Sequence, residues 1–170
     1  MCVQTNQSVL LTPTSEVESV PGDQPQAATV DSPPSTFIRV LIVDDHRAVR
    51  SALRAFLLVN DDLELVGEAT DGLEALQLCE RQQADVILMA LLMPRMDGAN
   101  ATRAIRSRYP QIQVLILTGS NEKRLEEEAI QAGAVGLLPK EVTGDQLARA
   151  IRAAYSGHPI TAAQITALPS

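Results

Sequence analysis

From Phe37 onward, short apolar runs alternate with segments whose apolar residues recur at helical spacing. The runs are FIRVLIV (37–43), LELVGEA (63–69), DVILM (85–89), QVLILT (113–118) and AVGLL (134–138). After them come Val49, Leu53, Phe56 and Leu57; then Leu73, Leu76 and Leu78; then Ala101, Ala104 and Ile105; then Leu125, Ala129 and Ile130; and last Leu147, Ile151 and Ala154. Runs that are apolar at nearly every position imply burial on both faces, as in a parallel strand sandwiched between helices. Five β-α repeats in about 120 residues therefore predict a small α/β domain with a five-stranded, parallel, doubly wound sheet. Pro139 would forfeit a ladder hydrogen bond, so the fifth strand is expected at a sheet edge.

Residues 1–36 mix Ser, Thr, Pro, Gln and Val without either periodicity and end in Ser32-Pro33-Pro34-Ser35. Such a stretch buries too little apolar surface to offset its ordering entropy and is expected to be a disordered leader. The globular part is read as 37–157. Residues 158–170 read as a tail or the start of a linker, too short for a helix-turn-helix module.

The whole chain has 170 residues, 45% hydrophobic and 21% charged, which suits one globular domain. No apolar run approaches the roughly 20 residues of a membrane helix, and the start lacks the basic and apolar regions of a secretory signal. No membrane association is expected. Cys2 and Cys79 alone exclude a disulfide framework or a multi-cysteine zinc site, so a reduced, cytoplasmic setting is expected. The net charge is −7, of which Glu16, Glu18, Asp23 and Asp31 in the leader supply −4. The remainder is nearly balanced, and there are two Phe, two Tyr and no Trp. This argues against nucleic-acid binding by charge or by base stacking.

In a doubly wound sheet, functional groups gather where strands end at their carboxyl side. After the first run stand Asp44 and Asp45; after the third, Ala90 and the loop Leu91 to Gly98; after the fourth, Thr118; after the fifth, Lys140. Two carboxylates, a hydroxyl and an ammonium on one crevice suit a hard divalent cation and a phosphoryl group. A plainer alternative has Asp45 capping the helix that begins near His46, with His46 an ordinary first-turn residue. Lysine occurs only at 123 and 140, against twelve arginines, and supplies a compact charge rather than a rigid fork.

VLIVDDH (40–46), ILMALLMPRMDG (87–98), LTG (117–119) and GLLPK (136–140) together resemble the receiver domain of two-component response regulators. VDDH and SGHPITAAQITAL (156–168) are most similar to receivers that precede a LuxR-type helix-turn-helix. The resemblance implies a flavodoxin-like receiver fold and a bacterial phosphorelay component. Asp45 would bind Mg²⁺ directly, Asp44 mainly through water, and the backbone carbonyl of Leu92 would be a further ligand. Thr118 and Lys140 would hold the phosphoryl oxygens. The implied partner is a sensor histidine kinase or phosphotransfer protein. A possible homodimer would use the face of the fourth helix, fifth strand and fifth helix. Such a module acts through a surface rather than by turnover, so no enzyme activity is expected.

The family's phosphoacceptor aspartate falls on Ala90, which has no side-chain oxygen and so cannot form an acyl phosphate. Its loss also removes a carboxylate from the cation site and weakens Mg²⁺ binding. Asp97 is expected to end a turn or cap the next helix rather than substitute, and Asp85 lies at the wrong end of its strand. Leu137 stands where the family usually carries a switching aromatic. Two explanations follow: a phosphorylatable receiver made inert by one substitution, natural or engineered, or an atypical receiver that works as a protein–protein interaction module without phosphate. The run Glu126-Glu127-Glu128 and the arginines at 103, 106 and 108 read as solvated helix faces.

Overall fold

The structure is a computed structural model that describes residues 37–119, 123–158 and 160. The expected leader 1–36 and most of the expected tail lie outside the described residues. Strands β1 (Ile38–Val43), β2 (Leu63–Ala69), β3 (Val86–Ala90), β4 (Gln113–Thr118) and β5 (Gly136–Pro139) alternate with helices α1 (Arg47–Leu58), α2 (Gly72–Arg81), α3 (Gly98–Arg108), α4 (Lys123–Gln131) and α5 (Gly144–Tyr155). All strand pairs are parallel, in the order β2-β1-β3-β4-β5. This is the doubly wound sheet that the apolar runs predict, with β5 at an edge as Pro139 requires.

Alternation along the strands divides the core. Val40, Ile42, Leu88, Leu115 and Leu117 face Leu57 of α1 and Leu147, Ile151 and Ala154 of α5. Leu41, Val43, Ile87, Met89 and Ile116 face Ala75 and Cys79 of α2, Ala101 and Ile105 of α3, and Ala129 of α4. The central strand β3 is buried at every position, and each such aliphatic side chain contributes about 2 kcal/mol by leaving water.

One expected helix face is corrected. The buried residues of α2 are Gly72, Ala75 and Cys79, whereas Leu73 is exposed and Leu76 and Leu78 are half-buried. The reason is close approach: a Cβ on Gly72 would lie 2.7 Å from the Cβ of Ala101 on α3. Small residues belong at that seam, and the leucines are displaced to its flanks. Burial also pushes the Cys79 thiol up to about 11, so at neutral pH it packs as a small apolar side chain. Ile130 of α4 is likewise exposed.

Packing continues beyond α5. Gly157 adopts φ +75°, and the His158 N–H donates to the Ala153 carbonyl at 3.0 Å, closing the helix with a left-handed residue. The chain then turns back along β5. The Ile160 N–H donates to the Val135 carbonyl at 2.8 Å, forming a parallel bridge to Gly136. Ile160 itself is buried in the α1–α5 half of the core.

Gly98 controls the end of β3. Its backbone N–H donates to the Leu91 carbonyl at 2.8 Å, and a Cβ there would lie 2.3 Å from the carbonyl oxygen of Ala90. Backbone cannot yield as a flexible side chain does, so Gly98→Ala is expected to destabilise the fold by about 2–3 kcal/mol. A lower urea midpoint at unchanged slope measures it.

Candidate functional site

The carboxyl ends of β1, β3, β4 and β5 deliver Asp44, Ala90, Thr118 and Lys140 to one end of the sheet. Strand register aligns Val43 with Met89, Ala90 with Leu117 and Thr118 with Pro139. Asp44 and Lys140, which follow the outer members of this set, meet above its middle. The Lys140 ammonium donates to Asp44 Oδ2 at 2.7 Å. Asp44 is 1% exposed, and its other oxygen accepts the His46 N–H at 2.8 Å. The Asp44 main-chain carbonyl accepts from Arg50 Nη1 at 2.8 Å. A buried carboxylate is tolerable only when paired and hydrogen-bonded, and both of its oxygens meet that condition.

The capping alternative for Asp45 is not what the structure contains. The N-cap of α1 is His46, without a side-chain cap, and the carboxylate that accepts its N–H belongs to Asp44. Asp45 is exposed, with Oδ1 2.8 Å from His46 Nδ1. His46 is thus more than a first-turn residue: its Nδ1 faces both acids, at 3.3 Å from Asp44 Oδ1. Asp44, Asp45 and His46 each offer one ligand atom, all within 4.8 Å of one another. This donor set can hold a cation, with Asp45 the carboxylate more open to it because Asp44 is already engaged on both oxygens.

Ala90 is 1% exposed and ends β3 with a methyl group. Thr118 is buried, and its hydroxyl donates to Glu126 Oε1 of α4 at 3.0 Å. Leu137 is half-buried and packs with the core beneath α4. The Leu92 side chain is exposed. Asp97 caps α3, accepting the Asn100 N–H at 2.8 Å, as expected. Asp85 lies at the far end of β3, where its Oδ1 accepts from Arg39 Nη2 at 2.8 Å.

Three features escape the sequence reading. Glu126 is half-buried, not part of a solvated face, while Glu128 pairs with Arg124 at 2.7 Å and Glu127 is exposed. Arg106 is half-buried and donates to the Ile112 carbonyl at 2.7 Å, tying down the turn into β4. Asp71 is buried, caps α2 through the Leu73 and Glu74 N–H groups, and pairs with Arg95. Arg95 sits at φ +64°, a conformation uncommon for a side-chain-bearing residue. With the Gly72 N–H donating to the Met96 carbonyl at 3.2 Å, this pair fixes the loop after β3.

Paired acids, a threonine and a lysine thus gather where the parallel strands end, the place at which α/β sheets of this kind carry their functional groups. The family model described as "Response regulator receiver domain" matches residues 40–152, and the chain belongs to that family. LiaR, a transcriptional regulatory protein of Bacillus subtilis, is 42% identical over 122 residues, covering 72% of this chain and 58% of that protein. The response regulator UvrY of Escherichia coli is 38% identical over 128 residues, covering 75% of this chain and 59% of that protein. The chain thus spans less than two thirds of the length of these relatives. A LuxR-family response regulator structure from Aurantimonas superposes with a TM-score of 0.70 at 31% identity, covering 76% of this chain and 93% of that one. Among the described residues, no helix is long and apolar enough to cross a membrane.

Removing the lysine would strand the Asp44 charge in a site with little access to water. Lys140 keeps a quarter of its side-chain exposure, so Lys140→Met is expected to cost about 2 kcal/mol, below the range for a fully buried pair. Adding Asp44→Asn to that variant should restore part of the loss in the same urea titration.

Proposed function

We propose that this chain is a two-component response-regulator receiver of a phosphorelay, here unable to accept a phosphoryl group at the usual position because that position is Ala90. Ala90 carries the reading. Forming an acyl phosphate requires a carboxylate oxygen to attack phosphorus while the donor's leaving group departs with the electron pair of the broken bond. A methyl group has no lone pair with which to begin.

The rest of the pocket supports descent from a working receiver. Asp45 directly, Asp44 mainly through water and the Leu92 carbonyl would hold Mg²⁺, which prefers oxygen ligands and retains several waters. The ion supplies charge neutralisation for a transferring phosphoryl group. Without a carboxylate at position 90 its binding is weaker. Thr118 and Lys140 would orient phosphoryl oxygens. The partners are a sensor histidine kinase or phosphotransfer protein, or a second copy through the α4-β5-α5 face. The setting is the cytoplasm.

A second reading, an atypical receiver that never used phosphate, draws support from one contact and one residue identity. The Thr118 hydroxyl is already engaged by Glu126, and leucine stands at position 137, where it cannot exchange an aromatic ring between core and solvent.

This chain and an Ala90→Asp version, incubated side by side with Mg²⁺ and acetyl phosphate, separate the readings by intact mass. One added phosphoryl group on the Ala90→Asp protein alone is the expected outcome. No label on either protein favours the second reading, and label on the unaltered chain overturns both.

A further inference from the structure

Helix α4 carries three consecutive glutamates with three different environments. Glu127 faces solvent, and Glu128 pairs within the helix with Arg124. Glu126 is half-buried and, among the described residues, makes a hydrogen bond outside the helix. It lies beside Leu125 and one turn before Ala129, both of which pack into the core beneath α4, so its carboxylate is carried to the carboxyl end of β4. There it accepts the hydroxyl hydrogen of Thr118, a residue 8% exposed.

We propose that Glu126 is a built-in anionic partner of Thr118 that occupies the switch hydroxyl and holds α4 against β4 without phosphate. The proposal deepens the functional reading above, resting on it for the role of Thr118. A threonine hydroxyl has one hydrogen to donate. Given to Glu126, it is not available to a phosphoryl oxygen. Lys140, the other phosphoryl-binding group, is engaged in the same manner by Asp44 at 2.7 Å. Both groups that would greet a phosphoryl group therefore already meet carboxylates of the chain itself, although the lysine, with three N–H donors, keeps capacity that the threonine hydroxyl does not. A phosphoryl group arriving beside Thr118 would also meet the negative charge of Glu126, which opposes it. The device biases a two-state element by an internal ligand, since α4 gains an interaction in this arrangement that it loses on moving away.

Hydrogen–deuterium exchange on the full chain tests the proposal, comparing it with Glu126→Ala and Glu126→Gln. Peptides spanning α4 and the end of β4 should exchange about fivefold faster in Glu126→Ala, the size expected for one hydrogen bond to a charged acceptor in a half-buried site. Alanine is the better helix former, so intrinsic propensity works against this result and cannot produce it. Glu126→Gln keeps an acceptor oxygen and should stay closer to the parent than to the alanine variant. Superimposable exchange in the parent and Glu126→Ala overturns the proposal. In a second arm, the Ala90→Asp protein with and without Glu126→Ala is exposed to Mg²⁺ and acetyl phosphate. Loss of Glu126 should raise the labelled fraction about threefold by freeing Thr118, and an unchanged or lower fraction overturns the proposal. If neither Ala90→Asp protein takes label, the reading of the pocket as a disabled receiver fails, while the exchange comparison still decides the role of Glu126.

Discussion

The Lys140–Asp44 ion pair binds the two flanks of the functional edge to each other. Asp44 follows β1 and Lys140 follows β5, so the pair closes over the ends of β3 and β4 that stand between them. Ala90 at the end of β3 offers only a methyl group, so the buried carboxylate that the lysine answers here is that of Asp44. The remaining contacts fit round this pair. The second Asp44 oxygen takes the first free N–H of α1, its carbonyl takes Arg50, and the Lys140 N–H donates to the Thr118 carbonyl at 2.9 Å. A charge that must be compensated thus sets the positions of a helix start and two strand ends.

What the sequence made legible follows from how strongly each feature is expressed locally. β2 and β4 coincide with their apolar runs, and the other strands agree within two residues, because burial on both faces leaves almost no polar position to blur the pattern. The acids, threonine and lysine were legible because the topology of a parallel sheet brings strand ends together whatever the loops do. The face of α2 was not, because leucine outweighs glycine and alanine in any hydrophobicity pattern while the α2–α3 seam rewards small volume. Glu126 and Arg106 were misread for a different reason. In a charged run only one residue in three or four turns inward, and the signal that could have found Glu126 was its place between Leu125 and Ala129 on the packed face. The Asp71–Arg95 pair joins residues from separate loops and has no local signature at all.

The loop after β3 and the start of α4 flank the same pocket but are held by different means. Asp71 and the Met96 carbonyl hold the former through a buried cap, an ion pair and a backbone hydrogen bond. Among the described residues, the latter meets the pocket through the hydrogen bond from Thr118 to the Glu126 carboxylate, which keeps some access to water.

The edges of the sheet carry a consequence of another kind. A bare strand edge offers its backbone to any extended chain that comes near, and proteins avoid unwanted assembly by denying it. Here β2 is irregular where Leu41 pairs with Gly67, leaving Val66 as an extra residue. On the opposite side, β5 is four residues long, ends in Pro139, and has Ile160 laid against Gly136 so closely that no side chain would fit between them. Ile160 therefore acts as a guard rail. Main-chain pairing is thereby discouraged on both sides, and what the sheet's flanks present to their surroundings is the shape and charge of side chains rather than an open ladder.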